Sequence, residues 1–331
     1  MNLILRYLHA NAAKHVPPIL RAEMGGEMPA DVEEFADIPY DGAGGAPLAA
    51  DVYRPAHTAP SGLLPVAVMV HGGGLFAGSR KVNRVFCERL AQKGFLTFSL
   101  EYRLLDTTDG RGAVSDVCAG FDFVRNALER YGGDPRRVCV TGESAGGFLS
   151  LYATALACSE TLSQTLGCPR PALRPAALAL FSGMLYTTGN GVIGMVYQKD
   201  LYGERRRDAA FMERMDPEHP EILDSLPPLL LTSSRGDFLR GHTLRYAEAL
   251  ERAHHPRELL YYPEGKELVH AFPSLDPSRP ESGEVLEKLI AWFRALPPAA
   301  MNSSPCAMNC NEVKCVELSH ALRTCLHNVS A

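Results

Sequence analysis

A chain of 331 residues with 46% apolar side chains can bury a large core, as one large or two medium domains. Its formal net charge of −5 gives no electrostatic basis for binding nucleic acid or an anionic membrane surface. It holds no run of about 18 uncharged apolar residues, so no segment is expected to span a membrane.

The opening Met1-Asn-Leu-Ile-Leu-Arg6 has too short an apolar run for a signal peptide. Leu3, Ile4, Tyr7 and Leu8 fall at helical spacing, and Pro17-Pro18 interrupts the pattern, so residues 1–33 read as helix and loop. Two strand-like runs follow, Glu34–Tyr40 and Leu48–Tyr53. The Gly-rich stretch between them makes an antiparallel hairpin with a long loop. From there strands and helices alternate. Pro65–Val70 reads as a strand and Val82–Lys93 as a helix stopped by Gly94. Phe95–Tyr102 reads as a strand and Ala113–Tyr131 as a helix stopped by Gly132-Gly133. Val138–Thr141 reads as a strand, Gly146–Cys158 as a helix and Ala176–Leu185 as a strand.

Residues 186–224 lose this regularity and read as an insertion, a candidate lid. Pro227–Ser233 then resumes as a strand, Thr243–His254 as a helix and Glu258–Tyr262 as a strand. In the last helix, Pro280–Leu296, Ser278 and Glu281 suit a capping box, and Leu286, Leu289, Ile290 and Phe293 supply the apolar stripe. Strands alternating with helices imply right-handed βαβ units and a mostly parallel sheet covered on both faces. No internal repeat is visible.

Cys87, Cys118, Cys139, Cys158 and Cys168 are scattered and read as small buried hydrophobes, which fits reduced, cytoplasmic residence. Residues 299–331 differ in character. Cys306, Cys310, Cys315 and Cys325, with His320 and His327, stand at cysteine spacings of four, five and ten that match no zinc template. No metal site is assigned there, and the tail reads as a poorly ordered appendage. The sequon Asn328-Val-Ser330 is given no role.

The chemistry centres on Gly142-Glu-Ser-Ala-Gly146, between a β-branched strand and a small-residue helix. A serine on so sharp a turn sits in strained backbone geometry, so the residues two before and two after it must lack bulk. Ser144 is the candidate nucleophile. A serine hydroxyl is a weak nucleophile at neutral pH and needs a base, an orienting acid and donors for the developing oxyanion. His71-Gly-Gly-Gly74 ends the strand Pro65–Val70, and its bare N–H groups can face an anion. The N–H of Ala145, next after the nucleophile, completes that set.

Among eleven histidines, His270 lies between the last strand and the last helix, the place a base takes in the order Ser…Asp…His. His254 and His255 end a polar helix, His71 belongs to the glycine loop, and His242 is too close behind Asp237 to be oriented by it. Asp237, after the strand ending at Ser233, is the favoured acid over Glu143, Glu264 and Glu267.

His71-Gly-Gly-Gly74, Gly142-Glu-Ser-Ala-Gly-Gly147, Asp237 and His270 together resemble the hormone-sensitive-lipase-like family of α/β-hydrolases, in its microbial esterase branch. The resemblance covers about residues 34–297. It implies an α/β-hydrolase fold: an eight-stranded, mostly parallel sheet in a catalytic domain of residues 34–298. A helical cap, from residues 1–33 and about 186–224, would lie over the site. It implies hydrolysis of short-chain esters of small molecules without metal or organic cofactor. Carried over, Ser144 is the nucleophile, His270 the base and Asp237 its orienting acid, with Gly73, Gly74 and Ala145 as the oxyanion hole. Leu75, Phe76 and Met184 would line the substrate pocket.

Four positions depart from the family pattern, one of them Gly241, which stands where the family's acid motif commonly has a second acid. Leu75 stands where an aromatic residue usually follows the glycines. Glu143 stands where aspartate is common. Phe238 replaces the proline that usually follows the acid. Two other readings use the same fold: an amidase or arylformamidase-like hydrolase, and a non-catalytic ligand-binding protein. The latter typically lacks the nucleophile or the base, and both are present here. A homodimer is compatible with the sequence. Truncation after Pro298 is expected to leave ester turnover and melting temperature near those of the full chain, as measured by a chromogenic assay and thermal unfolding.

Overall fold

The computed structural model describes residues 3, 4, 6, 7, 10, 26–56, 62–189 and 191–299. In it the alternation of side chains along the strands splits the interior into two apolar layers. Val66, Val68 and Val70 point to one side of their strand, and Ala67 and Met69 to the other. The same parity runs across the sheet. Val138, Val140, Leu178, Leu180, Leu229 and Leu231 join the first layer, while Cys139, Ala177, Ala179 and Leu230 join the second.

The strands are β1 (Val32–Asp41), β2 (Pro47–Pro55), β3 (Leu64–Val70), β4 (Leu96–Leu100), β5 (Gly133–Glu143), β6 (Ala177–Phe181), β7 (Leu229–Ser234) and β8 (Arg257–Tyr262). They form one eight-stranded sheet in the order β1-β2-β4-β3-β5-β6-β7-β8. β2 runs antiparallel to both β1 and β4, and all other neighbours are parallel. The helices are α1 (Arg84–Gln92), α2 (Gly110–Tyr131), α3 (Ala145–Cys158), α4 (Glu160–Leu166), α5 (Val192–Tyr202), α6 (Ala209–Arg214), α7 (Pro220–Leu223), α8 (Arg240–Arg252), α9 (Phe272–Leu275) and α10 (Pro280–Ala295). α2 and α3 pack in the first layer through Val117, Phe121, Val124, Phe148 and Leu149. α1 and α10 pack in the second through Phe86, Leu90, Leu286, Leu289 and Phe293.

Local chemistry sets the ends of these elements. The Asp109 carboxylate accepts from Gly112 N at 2.8 Å to start α2, and Gly132 ends it in the left-handed region at φ 79°. The expected helix over 82–93 divides into a 3₁₀ turn, Arg80–Asn83, and α1. The strand expected over 176–185 stops at Phe181, because Ser182 turns to φ 51°. The capping box of Ser278 and Glu281 does not form. Arg279 is the N-cap and Pro280, with its preset φ, opens the helix, so the frame shifts by one residue. Ser278 Oγ instead donates to Asp276 Oδ1 at 2.8 Å.

The described part of 186–224 contains α5, the 3₁₀ turn Gly203–Arg207, α6 and α7, and α5 packs on α2. Residues 3, 4, 6, 7 and 10 are helical, and the rest of 1–25 lies outside the described residues. So does the tail from 300 onward, with Cys306, Cys310, Cys315, Cys325, His320 and His327. Cys87, Cys118, Cys139 and Cys168 are buried free thiols, and Cys158 is half-buried. Among the described residues no helix is long and apolar enough to cross a membrane.

Register aligns the strand ends. Val70 pairs with Gly142 of β5 and with Leu100 of β4, and Glu143 pairs with Phe181 of β6. His71, Glu101, Ser144 and Ser182 therefore leave the sheet side by side along its carboxyl edge, where open parallel sheets hold ligands.

Close packing at this edge forbids bulk. A Cβ at Gly146 would lie 2.1 Å from Val70 O and 2.5 Å from His71 O, both rigid backbone atoms. Gly146→Ala is expected to destabilise by at least about 2 kcal/mol in urea unfolding. Gly283→Ala, in α10 with nothing near its added methyl, is expected to stabilise by about 0.5–1 kcal/mol.

Candidate active site

Ser144 sits between β5 and α3 at φ 53°, ψ −118°, a region non-glycine residues rarely adopt. Such strain costs about 1–3 kcal/mol and persists only where the surroundings over-determine it. Here Ser144 N donates to Phe181 O at 3.0 Å, while Ser144 O accepts from Met184 N at 2.8 Å and Gly147 N at 3.1 Å. The residue is 8% exposed, and its turn opens α3, whose first N–H groups have no partners in the helix. A Cβ at Gly142 would meet Ser150 Oγ at 2.4 Å and Gly146 O at 2.6 Å, so both flanking glycines are required.

The glycine loop lies beside this turn. Gly73, Gly74 and Leu75 have successive positive φ values of 99°, 61° and 60°. A Cβ at Gly73 would meet Ala77 O at 2.1 Å, and one at Gly74 would meet the Phe76 ring at 2.4 Å and the Tyr197 hydroxyl at 2.6 Å. Gly72 N donates to Glu143 Oε1 at 2.6 Å, which ties the loop to the serine turn. Among the described residues no group accepts from Gly73 N or Gly74 N.

A polar ladder backs the loop. His71 Nδ1 lies 2.8 Å from Gly72 O and its Nε2 3.0 Å from Glu101 Oε1. The imidazole stacks on Tyr102 at 4.2 Å, and Tyr102 donates to His71 O at 2.8 Å. Arg80 donates from Nη1 to Glu101 Oε2 at 3.1 Å and from Nε to Asp51 Oδ1 at 2.9 Å, and also contacts Asp37. Burial works to raise the Glu101 carboxyl, but hydrogen bonding and charge from His71 and Arg80 outweigh it and hold the group low.

His270 and Asp237 meet on the same edge. His270 Nδ1 lies 2.7 Å from Asp237 Oδ1, and Asp237 is fully buried. Asp237 Oδ1 also accepts from Leu239 N at 2.8 Å, and its Oδ2 from Ser233 Oγ at 2.6 Å. Burial would raise the Asp237 carboxyl, yet His270 first, then Ser233 and Leu239, hold it below its ordinary value. An ionised carboxylate here fixes the proton of His270 on Nδ1 and leaves Nε2 as the basic nitrogen. His270 Nε2 is buried with no hydrogen-bond partner among the described residues.

The end of β6 joins the two halves. Phe181 O takes the N–H of Ser144, and the next residue, Ser182, takes the N–H of Ala271 on its Oγ at 3.0 Å. Ser234 Oγ donates to Leu268 O, which holds the same loop from β7.

Other sequence candidates fall elsewhere. Glu264, Glu267 and His254 are exposed. His255 Nε2 contacts Leu226 O at 3.0 Å. His242 Nδ1 accepts from Tyr186 N at 3.3 Å beneath the Tyr186 ring. Of the expected pocket residues, Leu75 and Met184 are buried in the first apolar layer, and Phe76 is half-buried beside Gly74. Arg80, Glu101, Ser182, Ser233, Ser234 and Tyr197 were not singled out from sequence. Their one signal is that four of them, Glu101, Ser182, Ser233 and Ser234, directly follow or end strands, which marks position but not partner. Among the described residues no group of three or more His, Cys, Asp or Glu side chains could hold a metal ion.

A profile of the alpha/beta hydrolase fold family matches residues 67–274. The chain belongs to this family. It is 28% identical over 292 residues to carboxylic ester hydrolase LipN of Mycobacterium tuberculosis, spanning 85% of this chain and 74% of that one. It is 24% identical over 255 residues to isoprenylcysteine alpha-carbonyl methylesterase ICME of Arabidopsis thaliana, over 74% of this chain, and spans only 59% of that relative's length. The crystal structure of esterase B from Lactobacillus Rhamnosis superimposes with a TM-score of 0.78 at 23% identity, covering 88% of this chain and 95% of that one, which shows the shared α/β-hydrolase fold.

His242 gives the site's surroundings a pH signature. Burial lowers it from 6.5 to about 4, against the pull of Asp237 and with the help of Arg245. Between those values the unfolded chain binds a proton that the folded chain refuses, so stability falls as pH drops from about 6.5 towards 4. His242→Gln is expected to shrink the loss of urea stability between about pH 7 and 4.5 by on the order of 2 kcal/mol.

Proposed function

We propose that this protein is a serine carboxylesterase that cleaves short-chain esters of small molecules through an acyl-enzyme on Ser144. The observation that carries the reading is the buried Asp237–His270 pair at 2.7 Å, whose free imidazole nitrogen has no partner and belongs to a loop tied to the same strand end as Ser144. Relatives named as a carboxylic ester hydrolase and a methylesterase support the same reaction class.

In this mechanism Ser144 Oγ attacks the ester carbonyl carbon while its proton passes to His270 Nε2. The carbonyl oxygen takes up the negative charge and is held by the N–H groups of Gly73, Gly74 and Ala145. Collapse breaks the bond to the leaving oxygen, and His270 returns the proton to the departing alcohol. Water, deprotonated by His270, then attacks the acyl carbon and frees the acid and Ser144. Asp237 stays ionised and stabilises the imidazolium. Preorganised donors matter because they act where charge develops, in a site partly closed to water, and one such donor typically contributes about 100- to 1000-fold in rate.

Ser144→Ala is expected to lower kcat/KM on p-nitrophenyl butyrate by at least about 10⁴-fold and to abolish labelling by a fluorophosphonate probe. Asp237→Asn is expected to cost about 10⁴-fold by stabilising the wrong imidazole tautomer. Turnover by Ser144→Ala near that of the wild type overturns the assignment. A falling rate from butyrate to decanoate esters tests the short-chain preference.

A further inference from the structure

Two exposed apolar side chains flank the acid–base pair in sequence. Phe238, next after Asp237, is 70% exposed, and Val269, next before His270, is 55% exposed. The Phe238 ring lies against the imidazole of His270, with centroids 4.2 Å apart and planes tilted by 37°. Its backbone is fixed by the carboxylate that fixes the base: Leu239 N donates to Asp237 Oδ1 at 2.8 Å, and Arg240 N to Asp237 O at 3.2 Å. Leu239 turns into the core while Phe238 stays outside it, so core packing does not account for the ring. A large aromatic face held rigidly and left to water is the kind of surface a ligand covers.

We propose that Phe238 is a specificity residue for the leaving group, and that the protein favours esters whose alcohol portion carries an aromatic ring. The proposal rests on the serine-esterase reading. His270 Nε2 must hand its proton to the leaving oxygen, so the alcohol portion lies beside the imidazole and the acyl portion does not. Atoms two or three bonds beyond that oxygen come within reach of a ring stacked on the imidazole face. An aryl group there finds an offset or edge-on partner, which an aliphatic group of equal size does not. Proline, the residue the resembling family carries at this position, offers no such face.

The test compares benzyl acetate with cyclohexylmethyl acetate. The two share the acyl group and the spacing of the ring, and differ little in leaving-group basicity. The wild type is expected to favour the benzyl ester in kcat/KM. Phe238→Ala and Phe238→Leu are expected to lower the benzyl-to-cyclohexylmethyl ratio by about 3- to 10-fold, and Phe238→Tyr to retain it. A ratio unchanged in Phe238→Ala overturns the proposal. So does an equal fall on both esters, which would make Phe238 a support for His270 and not a contact for substrate. If the wild type hydrolyses neither ester and takes no fluorophosphonate, the serine reading fails and this assignment with it. Thermal unfolding of each variant shows that the fold is kept, and Phe238→Leu keeps the bulk should Phe238→Ala not fold.

Discussion

Everything at the carboxyl edge hangs on the two residues that end β6. Phe181 O holds Ser144 N, and Ser182 Oγ holds Ala271 N, so the serine turn and the histidine loop are referenced to neighbouring points on one rigid strand. Each of the three turns involved carries a non-glycine residue at positive φ: Ser144 at 53°, Ser182 at 51° and Ala271 at 56°. None of these conformations is favourable alone. They coexist because β6 is paired on both sides and fully buried, which leaves its end no freedom to relax.

Buried charge is handled by the same economy of partners. Asp237 is wholly buried, yet its two oxygens receive Leu239 N, Ser233 Oγ and His270 Nδ1. A buried carboxylate without such donors would take up a proton and lose its ability to orient an imidazole. Glu143 follows a related logic. Its longer side chain, where the resembling family often has aspartate, reaches Gly72 N at 2.6 Å. A Cβ at Gly72 would lie 2.3 Å from Glu143 Oε2, so the first glycine of the loop and the acid before the serine require one another. Among the described residues no group accepts from the N–H groups of Gly73 and Gly74. Behind them, His71, Glu101, Arg80 and Asp51 form a continuous set of hydrogen bonds that crosses from β3 to β4 and β2. These bonds fix the loop from beneath.

The match to the alpha/beta hydrolase fold family spans residues 67–274, which holds the glycine loop, the serine turn, Asp237 and His270. Helices α5 to α7 also lie inside that span, and Tyr197 of α5 brings its hydroxyl against Gly74. The irregular stretch read from sequence as a lid thus touches the glycine loop directly. The relatives' names speak of ester cleavage.

Much of this was legible in the sequence because it depends on local rules. A short continuous apolar run such as Pro65–Val70 reads as a buried strand, Gly132 ends a helix, and glycines two before and two after Ser144 flank a crowded turn. The alternation of elements gave a parallel sheet, and chain order picked Asp237 over Glu264 and Glu267, which lie closer to His270 in sequence but are exposed. The capping box at Ser278 failed because Pro280 set the helix start on its own terms. What only the tertiary structure decided is partnership. Ser182, Ser233 and Ser234 look alike in sequence, and nothing local says that one holds Ala271 N, one Asp237 and one Leu268 O. Such contacts join residues up to 89 positions apart, so they are set by sheet register and loop geometry, and no periodicity or propensity along the chain encodes them.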